Sequence, residues 1–331
     1  MKRLAGAVGD IVVEEFGTGE LVSRLADPLW FQAFGCALGF DWHSSGVTTV
    51  TMGAVKEAGI EGIGVAGGKG HFREIPAEIE KQGEMLGLPE RKAEKLKENS
   101  KLSAKADTVG LMDGFQLYHH TVIFDSKGNW TVVQQGMSGE WARRYHLNMP
   151  KKFEEEPNSG IACDLRGKPV NLTDRESKDA RKAVVEVLQE LPKYRHAFTG
   201  QATLGGCYVR FPKSHWFDQR SYRNLLRAYE ANPADFKELM LSGVNQRGMR
   251  ALAMLAELIY DSRASRRDPV KYSFAHGGKD GIPYPVNRKR YDRSIEVLRG
   301  ALEGSELERR EKLGALRRLS AFAGVKLNYE P

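Results

Sequence analysis

Apolar residues recur at helical spacing from Ile11 to Leu38, and the pattern breaks at Asp27-Pro28, so the stretch reads as amphipathic helix interrupted there. Thr48 to Ala58 predicts another helix, Gly62 to Ala66 a short buried strand ended by Gly67-Gly68-Lys69-Gly70, and Pro76 to Gly87 and Pro89 to Leu102 two charged helices, each opened by a proline. Leu117 to Phe124 and Trp130 to Gln135 are apolar-rich runs joined by Asp125-Ser126-Lys127-Gly128-Asn129, the pattern of a β-hairpin. Strict alternation along the first run puts Tyr118, His120, Val122 and Phe124 on one face and Leu117, His119, Thr121 and Ile123 on the other. Downstream of Lys151 the pattern changes. Residues to about 162 are acidic and proline-bearing, Thr173-Asp174-Arg175-Glu176 reads as a capping box, and Ala180, Val184, Val187, Leu188 and Leu191 line one face of the helix it starts. Helical periodicity then continues through 221–231, 288–302 and 305–322. These patterns predict an α+β protein: a mixed α/β domain with a β-hairpin over 1–150, a linker or long loop over 151–172, and an α-helical domain over 173–331.

The segment Asn232 to Tyr260 is the most informative. Asn232-Pro233 opens a helix carrying Phe236, Leu239 and Met240, a tight turn follows over 241–247, and a second helix carries Leu252, Leu255 and Ile259 with no acid before Glu257. The two apolar stripes suit packing of one helix on the other, as a helix-hairpin-helix requires. Gly243 admits a positive φ and a close approach of backbone to a ligand, and an Asn at 245 tolerates the left-handed conformation that a second glycine would supply. The amides of Val244, Asn245, Gln246, Arg247 and Gly248 then meet a phosphate at a helix N-terminus, with Arg247 and Arg250 as cations beside it. The alternative is an ordinary glycine turn between packed helices.

Charge agrees with a polyanionic partner. The 331-residue chain carries a formal net charge of +7, much of it at Arg263, Arg266, Arg267, Lys271, Arg288-Lys289-Arg290 and Arg317-Arg318; a solvated basic face explains the same excess. Three scattered cysteines, Cys36, Cys163 and Cys207, fit a reducing compartment and argue against a cysteine zinc site. Without a membrane-length apolar run or a signal peptide, the expectation is a cytoplasmic protein with no membrane partner.

Four polar clusters carry candidate chemistry. Asp41, His43 and Ser44 offer a carboxylate, an imidazole and a hydroxyl for a phosphate, metal or base edge, or else a helix cap; Lys69 sits in a glycine-rich stretch that lacks the spacing of a nucleotide-binding loop. His120 with Tyr118 and Gln134 suits a cleft that holds a base, or else His119 and His120 are one core and one surface residue; Tyr145 within Arg143-Arg144-Tyr145-His146 suits a flipped base or a backbone, or else a surface role. Asp268, Lys271 and Lys279 follow the second helix closely enough to act on whatever the turn grips: a lysine amine as nucleophile at C1′, an aspartate against a sugar cation.

Leu241 to Asp268 resembles the helix-hairpin-helix and aspartate signature of DNA glycosylases, with Asp268 a few residues late. Arg247 or Gly248 stands where lyase-type members have lysine, leaving a monofunctional enzyme or a lysine supplied by Lys271 or Lys279. Over nearly the whole length, FGCALGFDWHSSGVTT, VAGGKG, DGFQLYHHTVIF, VVQQGM, ARRYH and DPVKYSFAHGGKDGIPYPV resemble a family of thermophilic archaea and bacteria, domain of unknown function 763. That resemblance implies a further segment before the position of Met1 and supplies no reaction. The expectation is therefore a DNA-binding repair enzyme, RNA remaining open as a partner. It would excise damaged or modified bases as a DNA glycosylase, a hydrolase of N-glycosidic bonds, with Asp268, Lys271, Lys279 and His120 catalytic and no cofactor. The alternatives are a metal-dependent nuclease, in which Asp41, His43 and His119 or His120 hold a divalent ion, and a non-catalytic nucleic-acid-binding repair protein.

Overall fold

A computed structural model describes residues 1–40, 46–70, 72–194, 201–204, 207–210, 219–272 and 288–323. The expected Asp41, His43, Ser44 and Lys279 lie outside the described residues.

The fold is α+β. Its centre is a five-stranded antiparallel sheet in the order β1-β3-β4-β5-β6, formed by β1 (Ile63–Lys69), β3 (Gln116–Asp125), β4 (Trp130–Ser138), β5 (Trp141–Asn148) and β6 (Asn158–Ala162). The short β2 (Leu111–Met112) pairs with β7 (Val170–Asn171), and β8 (Gln201–Leu204) with β9 (Cys207–Arg210). Helices cover both faces. On one side α1 (Lys2–Phe16), α2 (Thr18–Leu25), α3 (Pro28–Leu38) and α4 (Gly46–Ala58) bury Val65, Ile123 and Val133. On the other, α5 (Ile75–Met85), α6 (Glu90–Lys105), α7 (Lys178–Gln189), α8 (Gln219–Glu230), α9 (Phe236–Leu241) and α10 (Gln246–Tyr260) share a core with Ala66, Val122, Phe124, Val132 and Leu147. A sheet buried on both faces cannot show a clean alternation of apolar and polar residues, which is why β5, with Arg143-Arg144-Tyr145-His146 at its centre, gives no strand signal.

Several expectations hold. The break at Asp27-Pro28 is the N-terminus of α3, where the Asp27 carboxylate accepts from the Leu29 amide at 2.9 Å. Every residue of α3 is buried, as a helix apolar on all sides must be. The hairpin of β3 and β4 forms, its turn tied down by Asp125, which accepts from the Asn129 amide at 2.9 Å.

Other expectations need correcting. The glycines at 67 and 68 do not end β1: they stay paired with Thr121 and His120, because Gly67 at φ +94° lies so close to β3 that a Cβ would collide with the His120 carbonyl oxygen. Residues 151–172 contain β6 and β7, so the stretch read as a linker supplies an edge strand of the main sheet. Its polar composition hid that. Asn232 does not open α9; it follows α8 at φ +44°, and Asp235 is the cap, accepting from the Glu238 amide at 2.8 Å while Glu238 accepts from Ala234 at 2.8 Å. Asp174 caps a short 3₁₀ turn, after which α7 begins. The last two helices, α11 (Arg288–Gly304) and α12 (Arg309–Ala323), pack on α1 and α3: Leu298, Leu302 and Leu316 join the core of Leu4, Val8, Phe31 and Phe34.

Candidate active site and nucleic-acid interface

The sheet register decides which candidate residues meet. His120 and Gln134 are cross-strand partners on the face under α6. His120 Nδ1 lies 2.8 Å from Gln134 Oε1, and its Nε2 lies 2.9 Å from Ser100 Oγ on α6. Gln134 Nε2 donates to Asp107 Oδ2 at 2.6 Å and to the Ser103 carbonyl at 3.2 Å, so Oε1 is the accepting end of the amide. The imidazole therefore carries its proton on Nδ1, and its Nε2 accepts a hydrogen bond from the Ser100 hydroxyl. Burial holds it neutral, with its pKa lowered to about 4. Tyr118 does not join this group. A β-bulge between Leu117 and His119 interrupts the alternation, and the Tyr118 hydroxyl accepts from Gln135, the partner of His119 on the opposite face. His119 is neutral as well, its pKa pulled down to about 3 by burial and by its neighbour His120. Lys69, paired with His119, sits in β1 with its ammonium 5.9 Å from the Tyr118 ring centre. The Gly67 amide donates to Glu78 at 2.6 Å, so a carboxylate occupies the place a phosphate would take.

Asp107 extends the network. It lies in a single π-helical turn, Ala106–Gly110, at the end of α6, and accepts from Gln134 and, at 2.9 Å, from Asn158 of β6. Full burial raises its pKa well above the usual carboxylate value. Beside it, Asp113 accepts from the Tyr145 hydroxyl at 2.7 Å, from the Phe115 amide at 3.0 Å and from Arg143 Nη1 at 3.0 Å. Tyr145 is thus fully enclosed and its hydroxyl committed, and Gln134 is buried too; neither presents an open face to a base. Arg143 is 1% exposed and grips a second carboxylate, Asp268, with Nη2 2.8 Å from Oδ2 and Nη1 3.2 Å from Oδ1. The guanidinium joins two carboxylates and stacks 4.4 Å from the Phe115 ring centre.

Asp268, its side chain only 4% exposed, lines a cleft of about 270 Å³ together with Asn158, Asp174, Arg267 and Lys271. Its oxygens also accept from the amides of Gly167, at 2.8 Å, and Val270, at 3.1 Å, which leaves it anchored by four donors. Lys271 is exposed, and its own amide donates to Ile161 at 3.1 Å. The structure therefore places Asp268 and Lys271 on one cleft. His120 lines a different groove, with Phe72, Ile79, Ser100 and Lys101. Among the described residues, no cluster of three or more His, Cys, Asp or Glu side chains is poised to share a metal ion.

The turn between α9 and α10 is the second feature. Gly243, at φ +91°, is exposed, and a Cβ there would meet nothing within 4 Å. Asn245 does not take the left-handed conformation expected of it. At φ −98° it is the N-cap of α10, accepting from the Gly248 amide at 2.8 Å. Its own amide donates to Asn224 of α8 at 2.8 Å, Asn224 donates in return to the Gly243 carbonyl at 2.9 Å, and Lys105 donates to the Val244 carbonyl at 3.1 Å. The Asn245 and Gly248 amides are thus already engaged, and Val244 is buried; Gln246, at the first position of α10, keeps an amide with no acceptor among the described residues. Arg247 and Arg250 are exposed, and the first turn of α10 carries no acid. Instead of packing chiefly on each other, α9 rests on α6 and α7 and α10 on α7 and α8. With only six residues, α9 is too short to offer a full stripe.

Sequence reasoning missed Ser100, Asp107, Asp113 and Asn158, and took Arg143 for a surface or substrate-facing group. The π-helical turn that aims Asp107 inward has no readable signal, and Arg143 is buried only because two acids distant in sequence fold around it.

No curated protein and no solved structure matches the chain. Residues 1–286, which end just before α11, match the model of a family described as protein of unknown function, DUF763, and the chain belongs to that family.

Proposed function

We propose that this protein binds nucleic acid through the α9–α10 turn and acts on a damaged or modified base brought to the cleft beside Asp268. The observation that carries the reading is the turn itself. An exposed, left-handed Gly243 with open space above it leads into a helix that starts with an available amide, exposed arginines at 247 and 250 and no acid in its first turn. Amide and dipole attract one phosphate, and the arginines neutralise its neighbours. The bracing by Asn224 and Lys105 prepays the ordering of the loop.

In the proposed chemistry, hydrolytic base excision, the base leaves with the electron pair of its bond to the sugar, positive charge grows on the sugar beside a fixed anion that stabilises it, and water adds at C1′ while one of its protons passes to the departing base. Asp268 supports that role because four donors lock its position; Lys271 on the same cleft is a cation for the adjoining phosphate. The same four donors favour a second reading, a nucleic-acid-binding protein without turnover, since each oxygen of Asp268 is occupied twice. Labelled oligonucleotides bearing single modified bases, incubated with and without chelator and then treated with alkali, separate these readings. Alkali-dependent breaks that survive chelator support excision. Breaks that need metal and no alkali favour a nuclease, and tight salt-sensitive binding without breaks favours the second reading. No binding to any oligonucleotide overturns the proposal.

A further inference from the structure

Beyond the turn, the outer stripe of α10 changes character. Arg247 and Arg250 are followed at helical spacing by Met254, 45% exposed, and Leu258, 79% exposed, so the helix turns apolar side chains to solvent over its second half. From Arg247 to Leu258 the stripe runs about 17 Å along the helix. Its Arg250, Met254 and Leu258 line a groove of about 470 Å³ together with Lys168 and Arg266. Glu257 is the acid lining this groove, and Arg263 and Arg266 lie 3.6 and 3.7 Å from its carboxylate.

We infer that this groove holds an unpaired nucleic-acid strand, with phosphates on Arg250, Lys168 and Arg266 and bases against Met254 and Leu258; the inference rests on the nucleic-acid reading proposed above. Charge complementarity decides the occupant. Met112 and Val170 add to the apolar lining beside Met254 and Leu258, but three cations against one acid, itself 3.7 Å from Arg266, leave the groove with a net positive charge that favours a polyanion over an apolar protein surface. Alternating cations and apolar surface match the alternation of phosphate and base along a strand, and the bases of a duplex are stacked away from such a wall. The groove begins at Arg250, about one helical turn beyond the start of α10 at Gln246, so a strand whose phosphate sits at the turn needs only a short step to reach it.

The test measures affinity by fluorescence anisotropy for a labelled single strand and for its duplex, with the full chain and two variants. One is Met254→Ser with Leu258→Ser, both exposed and therefore tolerated by the fold; the other is Gly243→Val at the turn. The double substitution is expected to weaken single-strand binding roughly tenfold or more, as loss of two buried apolar contacts requires, and duplex binding less than about twofold. Gly243→Val is expected to weaken both. Equal effects on the two probes, or no effect of the double substitution on the single strand, overturn the groove assignment while the nucleic-acid reading stands. If the double substitution instead disperses an oligomer in solution and leaves oligonucleotide binding unchanged, the stripe is a protein interface and the assignment is likewise wrong. Failure of the unaltered chain to bind either probe removes both readings.

Discussion

Asp268→Asn probes the buried ion pair and the proposed chemistry together. Oδ1 of Asp268 accepts from Arg143 Nη1 and the Val270 amide, and Oδ2 from Arg143 Nη2 and the Gly167 amide. An asparagine keeps one accepting oxygen. With that oxygen at the Oδ1 position, the NH2 group faces two donors and both bonds at Oδ2 are lost. Gly167 is exposed, so water replaces its partner at little cost. The loss at Arg143 is the expensive one: a charge-assisted bond at 2.8 Å in a pair whose side chains are 1% and 4% exposed. Such bonds contribute about 1.5–3 kcal/mol, and removing one partner of a buried pair costs up to about 5 kcal/mol. Because Asp113 still faces Arg143, a destabilisation of about 2–3 kcal/mol is expected, read from urea unfolding midpoints. Adding Asp113→Asn should cost more than the two single effects combined, by about 1 kcal/mol or more, since the guanidinium then has no counter-ion. A single-variant cost below about 0.5 kcal/mol, or strict additivity, would refute the arrangement of two acids around Arg143. Excision is measured at a temperature where the variant is folded. If it proceeds at the unaltered rate, Asp268 has no chemical part.

Further expectations concern pH, backbone and salt. His120 stays neutral when folded down to about pH 4 but takes a proton near 6.5 when unfolded, so its contribution is intact above about pH 6.5 and fades as pH falls towards 4. Buried Asp107, with a raised pKa, slopes the other way, so the measurement is the difference between the unaltered chain and His120→Asn. That difference should shrink by about 3 kcal/mol between pH 7 and 4, and a flat difference would contradict the burial of a neutral imidazole. Gly67→Ala should destabilise by about 3 kcal/mol or more in denaturant titration, because the new Cβ meets the His120 carbonyl and φ is +94°; a cost under about 1 kcal/mol would place β1 further from β3. Replacing Arg247 and Arg250 with Gln should reduce the slope of log affinity against log salt by about 2, and an unchanged slope would take these arginines off the phosphates.

The legible parts of the fold were those written locally. Asp27-Pro28 marks a helix start whatever surrounds it, and the five residues after Phe124 can only turn a hairpin. The illegible parts depend on distant residues. Arg143 looks like a surface cation until Asp113 and Asp268 are brought to it, and Tyr118 appears to share a face with His120 until the bulge is known. Of the site, the sequence was read as bringing His120 and Gln134 to one cleft with Asp268 and Lys271, whereas the structure puts His120, hydrogen-bonded to Gln134, on a different groove; no sequence signal announced Asp107, whose direction is set by a π-helical turn. At Asn245 the residue was rightly singled out and its job misread: side-chain capping wins over the left-handed backbone because it satisfies the Gly248 amide.

The packing of α11 and α12 on α1 and α3 has a consequence for how the chain is made. Arg318, near the end of the described residues, donates to the Ala37 carbonyl at 2.8 Å across a separation of 281 residues. Contacts of such sequence span slow folding, because the closure entropy of a very long loop must be met before they form. Helices α1 and α3 therefore wait, with an apolar flank uncovered, until α11 and α12 have been made. Synthesis halted before α11 would release a chain that keeps its central sheet yet exposes greasy surface along α1 and α3, a species prone to clump and to call on chaperones.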